Sequence, residues 1–210
     1  PEPIVDDITR ARIENKLSHG EVAATLFMGA LYLSVFELLK TEVLMCPAAL
    51  IIPDVVEGKM VPRFGADGRF RPDKRYMSEL KVSTPRQLYR HALRWLCDRE
   101  VLDSNQVEEL LDLEKYRHTV AHELPRFVVD LTKAVDTSRY LRLGHYLALL
   151  GRWRVRLEMN YDDDSNEGVA DDDIVTVPMS LCAHLTATFG KVADTMTSAA
   201  GKPEHPSQSR

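Results

Sequence analysis

From Val22 to Leu39 the chain is apolar almost without interruption, broken only by Thr25, Gly29, Ser34 and Glu37. Periodicity extends this run into a helix from Gly20 to about Met45 whose apolar coverage goes nearly all the way round. A helix of that kind must be wrapped by others, because none of its faces gains from water. The polar interruptions argue against a membrane span, so the run predicts the central element of a bundle with no membrane partner.

The flanking sequence supplies the wrapping. Ile8 to Leu17 reads as a short helix. Thr84-Pro85 offers an N-cap and a first-position proline for a helix through about Val101, with Leu88, Ala92, Trp95 and Leu96 on one face. Asp103 or Ser104 caps the next, which carries Val107, Leu110, Leu111, Glu114, Arg117, His118 and His122. Pro125 is expected to end or kink it shortly after His122. Ser138 to Met159 follows with Leu143, Leu147, Leu150 and Leu157 as its buried stripe. Met179 to Ala199 is the last, through Leu181, Leu185, Phe189, Val192 and Met196. Between them, Pro47, Pro53, Pro62 and Pro72 with Gly58, Gly65 and Gly68 mark 47–83 as an irregular insertion, and Phe64 to Phe70 as a tight turn or small hairpin. The expectation is an all-α bundle of about five to seven helices. It forms a single domain over 1–200, with an acidic loop at 161–177 and a disordered tail at 201–210.

Charge and cysteine usage narrow the function classes. A formal net charge of −5 over 210 residues excludes a globally basic nucleic-acid coat. Local clusters remain: Arg152, Arg154 and Arg156; Arg69, Arg71, Lys74 and Arg75; Arg86, Arg90 and Arg94. Cys46, Cys97 and Cys182 are odd in number, sit in apolar helical contexts and include no Cys-x2-Cys pair, which predicts reduced core thiols and a cytoplasmic protein. Pro1 to Asp7 shows no basic region leading into an apolar run, so no signal peptide is expected.

The chemistry is concentrated in Leu113 to Leu124, where Arg117, His118 and His122 share one helix. An arginine holds a phosphate with two parallel hydrogen bonds at any physiological pH, and a histidine near neutrality exchanges a proton with a ribose hydroxyl. These are the needs of metal-free RNA cleavage. The bare Arg-to-His spacing is weak, because it also occurs at Arg12 and His19, at Arg86 and His91, and at Arg139 and His145. Context separates them. Arg12 and His19 straddle a helix break, Arg86 sits in a first turn with a capping or surface role, and His145 follows Gly144 within an apolar stripe. At about 100° per residue, His118 and His122 share a face while Arg117 is roughly 140° from His122. Its long side chain, with a bend at Pro125, is expected to close the gap.

The run Leu113-x-x-Tyr-Arg117-His118-x-x-Ala121-His122 resembles the signature of the HEPN superfamily, helical bundles with an Arg, a polar residue, three residues and a His. The resemblance covers roughly residues 8–160 and is carried by about ten of them. It implies a metal-independent endoribonuclease of toxin or phage-defence type, with no cofactor, acting on RNA as a homodimer that brings both motifs into one cleft. A cognate antitoxin or defence-system partner would accompany it. It implies that His122 acts on the 2′-hydroxyl or the leaving 5′-oxygen, that Arg117 stabilises charge on the scissile phosphate, and that His118 supports them. Glu37, with Lys40 in a Glu-x-x-Lys arrangement, would brace Arg117 across the bundle. One departure stands out: members modified by a paired nucleotidyltransferase carry a tyrosine two residues after the motif histidine, and here that residue is Leu124. The same family includes inactive nucleotide-binding and interaction domains, and an unrelated bundle also needs surface Arg and His.

Other motifs read blandly. His118 and His122 could share an ion, but the metalloprotease pattern needs Glu where Thr119 stands, so no metal is expected. Asp162 to Asp173 departs from a calcium loop at Glu167, where glycine is required, and reads as solvated acid. Trp95 and Trp153 read as core or interface. Neither a phosphate-binding glycine loop nor a nucleophile elbow is present.

Overall fold

A computed structural model describes residues 6–51, 55–56, 59–60, 65, 70–160 and 174–200, with backbone alone at 55–56, 59–60, 158–160, 189–190 and 192–200. The expected tail and most of the acidic loop lie outside these residues. The architecture is all-α. Helix α1 (Asp7–Lys16) is capped by Asp6, whose carboxylate accepts from the Thr9 N–H at 2.8 Å, and buries nothing. Helix α2 (His19–Ile51) is the central element and packs against every other α-helix except α1 more than marginally. Among the described residues it is the one helix long and apolar enough to cross a membrane. Tyr32, Val35, Phe36, Leu39, Val43 and Cys46 along it are sealed in the core.

The insertion begins later than expected. Pro47 is buried inside α2, which runs on to Ile51. A proline there removes one ladder donor, but Pro47, Ala48 and Ile51 are packed in the core, and the Tyr76 hydroxyl donates to the Leu44 carbonyl at 2.9 Å in the same turn. Packing outweighs the broken bond. The insertion is not wholly irregular either: strands β1 (Val55–Val56) and β2 (Lys59–Met60) pair antiparallel, and helix α3 (Lys74–Glu79) is capped by Asp73. Most of the turn expected at 64–70 lies outside the described residues.

Thr84 makes no capping bond, and the expected helix opens as a 3-10 turn (Pro85–Gln87) before α4 (Leu88–Asp98). It stops short of Val101 because Glu100 turns left-handed at φ 61°. Helix α5 (Ser104–Val129) starts in a full capping box, with Asp103 on the Gln106 N–H and the Gln106 side chain on the Asp103 N–H. It does not end at Pro125. Leu124 rests on Gly29, where a methyl group would lie 2.5 Å from its Cδ1, and the buried Phe127 carries the helix to Val129.

Helix α6 (Thr137–Asn160) returns antiparallel to α5, capped by Asp136. Leu143, Leu147 and Leu150 are fully buried as expected, Leu157 only half. Helix α7 (Val177–Ala200) departs from its expected stripe: Leu181 is exposed, and Cys182 faces inward over Gly144 instead. Tyr140 fastens this contact through Thr186, with the hydroxyls 2.5 Å apart. The side chains of Phe189, Val192 and Met196 lie outside the description.

Candidate active site

The middle of α5 is held from three sides. The Tyr32 hydroxyl donates to the Leu113 carbonyl at 3.1 Å, and the Tyr116 ring stands edge-on to both Tyr32 (5.1 Å) and Phe127 (6.4 Å). The Asp136 N–H donates to the Tyr116 hydroxyl at 2.8 Å, and the Arg139 guanidinium lies 4.5 Å over the same ring. Burial pushes the Tyr116 hydroxyl pKa up, so this anchor stays neutral. The residue before Arg117 is therefore fixed.

Arg117 itself turns toward α2 and is half-buried. Its Nη2 donates to Oε1 of Glu37 at 2.8 Å, and its Nε is buried with no hydrogen-bond partner among the described residues. The partner expected for it is the one found. His118 and His122, by contrast, face solvent, their rings parallel within 7° at 6.4 Å between centroids. Because α5 runs unbroken past Pro125, Arg117 stays roughly 140° round the axis from His122. Among the described residues no hydrogen bond joins it to either histidine. The helix end that was to close the gap does not form. One face of α5 thus holds an arginine braced by a carboxylate, and another holds two exposed imidazoles.

The exposed face carries more than the pair. Lys115, His118, His122 and Arg126 are all exposed and recur at helical spacing, one per turn, so the imidazoles sit within a basic stripe. Glu123 beside it is engaged by Lys133 at 2.7 Å and Arg126 at 3.5 Å, and the Lys133 contact holds its carboxyl below the usual carboxylate range. The spacing of three, four and four residues was readable in the sequence, but only the exposure of all four makes it a surface.

The other Arg and His pairs are placed differently. Arg12 and His19 fall on separate helices. Arg86 is exposed in the 3-10 turn, and the His91 Nδ1 lies 2.9 Å from the Leu80 carbonyl. Arg139 is committed to Asp112 at 2.8 Å and Asp136 at 3.4 Å. His145 is exposed and not part of the apolar stripe, because that stripe turns on Leu143, Tyr146, Leu147 and Leu150. Among the described residues no group of three or more His, Cys, Asp or Glu is placed to hold a metal ion. Of the central basic cluster, Arg154 is bound inward to the buried Glu42 at 2.5 Å.

Neither a family model, nor a curated protein, nor a solved structure matches the chain.

Proposed function

We propose that the chain is a metal-independent endoribonuclease of toxin or antiviral-defence type, acting on RNA as a homodimer in the cytoplasm. The observation that carries this reading is the Arg117 to Glu37 pair on one face of α5 and the two solvent-facing histidines on another face of the same helix. The carboxylate orients the guanidinium without using all its donors, which leaves N–H groups for a phosphate oxygen. In the reaction, the ribose 2′-oxygen attacks phosphorus as the bond to the 5′-oxygen breaks. The His122 imidazole of one copy takes the 2′ proton and that of the second copy delivers one to the departing oxygen, giving a 2′,3′-cyclic phosphate and a 5′-hydroxyl end. His122 is the proton-transfer residue, His118 supports it, and Arg117 stabilises the charge growing on the phosphate. The separation of Arg117 from His122 round α5 gives the second copy its role: the cleft between two α5 helices sets the histidines of one beside the arginine of the other.

Purified protein is tested on RNA with EDTA present, alongside Arg117→Ala and His122→Ala. Loss of cleavage in both variants supports the reading, and inactive wild type or fully active variants sink it.

A second reading is a catalytically inactive bundle that binds a nucleotide or a protein and regulates a neighbouring protein. The different faces taken by Arg117 and His122 favour it. A dimer in which the two His122 side chains lie far from any cleft would select it.

A further inference from the structure

Between the C-terminal end of α3 and one face of α4 the chain forms a cavity of about 490 Å³. His91, Arg94, Trp95 and Asp98 line it from α4, and Glu79 and Lys81 from the end of α3. Positions 91, 94, 95 and 98 fall on a single helical face, so one helix supplies a whole wall. Trp95, 7% exposed, is the buried part of that wall. The facing wall turns on Lys81. Its φ is 52°, and the N–H groups of Lys81 and Val82 satisfy the Ser78 and Met77 carbonyls at 3.0 and 2.9 Å, a helix end at which glycine is usual. Lysine there keeps a side chain on the cavity at a backbone cost that glycine would avoid. The His91 Nδ1 lies 2.9 Å from the Leu80 carbonyl, which can only accept. Nδ1 therefore carries the hydrogen, and Nε2 is left as an acceptor for a ligand.

Contacts across the cavity set its polarity. Leu80 is tied to His91, which brings Lys81 to the N-terminal end of the α4 wall, whereas Glu79 meets Arg99 at 3.5 Å beside Asp98 at the other end. The two ends are about 10 Å apart by helical rise, with Arg94 between them. Arg94 and Asp98 stand four residues apart, a spacing at which opposite charges often pair. Yet neither they nor Lys81 make an ion pair among the described residues. With Arg99 and Glu79 offsetting each other, two cations and one carboxylate remain, in a chain whose net charge is −5.

We propose that this cavity binds a small phosphorylated amine that carries a hydroxyl, the chemistry of a phosphorylated amino sugar. The phosphate lies on Lys81 and Arg94, the ammonium on Asp98, and a ligand hydroxyl donates to Nε2 of His91. A phosphate alone would bring its charge against Asp98, and an amine alone would meet Lys81 and Arg94, so neither uses the cavity without repulsion. Two negative charges and one positive charge match the three groups that remain, and the arginine fork suits the phosphate oxygens. The cavity falls within the range of roughly 300–1,000 Å³ that holds small ligands, which leaves room for a sugar-sized skeleton between the charged ends. Neither Arg117 nor the histidines of α5 line it. The proposal stands whether or not the reading of Arg117 and His122 holds.

Titration calorimetry of the full chain at low salt with glucosamine 6-phosphate, glucose 6-phosphate, glucosamine and inorganic phosphate tests it. Glucosamine 6-phosphate is expected to bind at least about tenfold more tightly than each of the others, since glucose 6-phosphate lacks the ammonium and glucosamine the phosphate. Asp98→Asn is expected to bring glucosamine 6-phosphate to within about threefold of glucose 6-phosphate, a loss of selectivity that a merely structural role would not produce. Lys81→Gly is expected to weaken glucosamine 6-phosphate at least about tenfold while raising the thermal midpoint, because it removes the side chain and relieves the backbone. That variant decides if Asp98→Asn fails to fold. Equal binding of glucosamine 6-phosphate and glucose 6-phosphate overturns the proposal in favour of a plain anion site. Absence of glucosamine 6-phosphate binding up to millimolar concentration, or binding untouched by Lys81→Gly, overturns it as well.

Discussion

Arg117 on α5 and Glu37 on α2 form a 2.8 Å ion pair across 80 residues of sequence, and it points the only arginine of the motif away from its histidines. The pair is partly solvated, with side-chain exposures of 30% and 50%. Its stabilising effect is accordingly small, about 0.2–1 kcal/mol. Glu37→Gln is expected to leave the melting temperature nearly unchanged. On the proposed reaction it should lower RNA cleavage by about tenfold or more, since a misaimed guanidinium loses transition-state contact. Unaltered cleavage by Glu37→Gln would remove Glu37 from the site.

Glu42 and Arg154 are a different case. Glu42 is 3% exposed, so removing Arg154 leaves a buried carboxylate without its cation between α2 and α6. Arg154→Leu is expected to cost about 3–5 kcal/mol in urea unfolding. A loss below 1 kcal/mol would mean that water reaches this pair.

At Gly29 on α2 the Leu124 side chain of α5 occupies the space that a Cβ would need. Gly29→Val should destabilise by about 1–3 kcal/mol through overpacking. Adding Leu124→Ala should recover part of that loss, and a double-mutant cycle measures the coupling.

Glu100 holds a conformation that glycine adopts freely. Glu100→Gly is expected to stabilise the chain by about 1 kcal/mol, read as a raised urea midpoint. A lowered midpoint would show that the Glu100 side chain contributes more than its backbone costs.

Asp136 caps α6, accepting from the Ser138 hydroxyl and N–H and the Arg139 N–H, and the Ser138 hydroxyl bond is the main cause that holds its carboxyl below the usual range. A depressed folded pKa contributes stability that is present above the unfolded value, about 3.9, and is lost as pH falls through the folded value. Asp136→Ala should therefore cost about 1 kcal/mol at neutral pH. The gap between variant and wild type should shrink as the urea midpoint is followed from pH 5 to pH 2. A gap that stays constant with pH would assign the effect to helix propensity alone.

Several elements were legible in the residues themselves. The all-round apolar character of α2, the cap at Asp103, and the Leu143, Leu147 and Leu150 stripe are relations within one or two helical turns, and local periodicity reports them directly. Pro47 and Pro125 misled because their cost is local while the packing that offsets it is not: Tyr76 and the buried end of α2 sustain the first, Gly29 and Phe127 the second. Leu181 misled in the opposite sense. Its hydrophobicity predicts burial, yet the rotation of α7 over Gly144 gave that place to Cys182.

For the candidate site the division is similar. Arg117, His118, His122 and Glu37 could all be named from the sequence, and the spacing set His118 and His122 on one face. Only the tertiary structure decided that Arg117 is turned to Glu37 while the histidines face water, and that Arg154 of α6 meets the buried Glu42 of α2. The physical reason is range. Helical periodicity and capping act over about four residues and are written in order along the chain. Ion pairs and cavities join residues that become neighbours only when the bundle closes around α2.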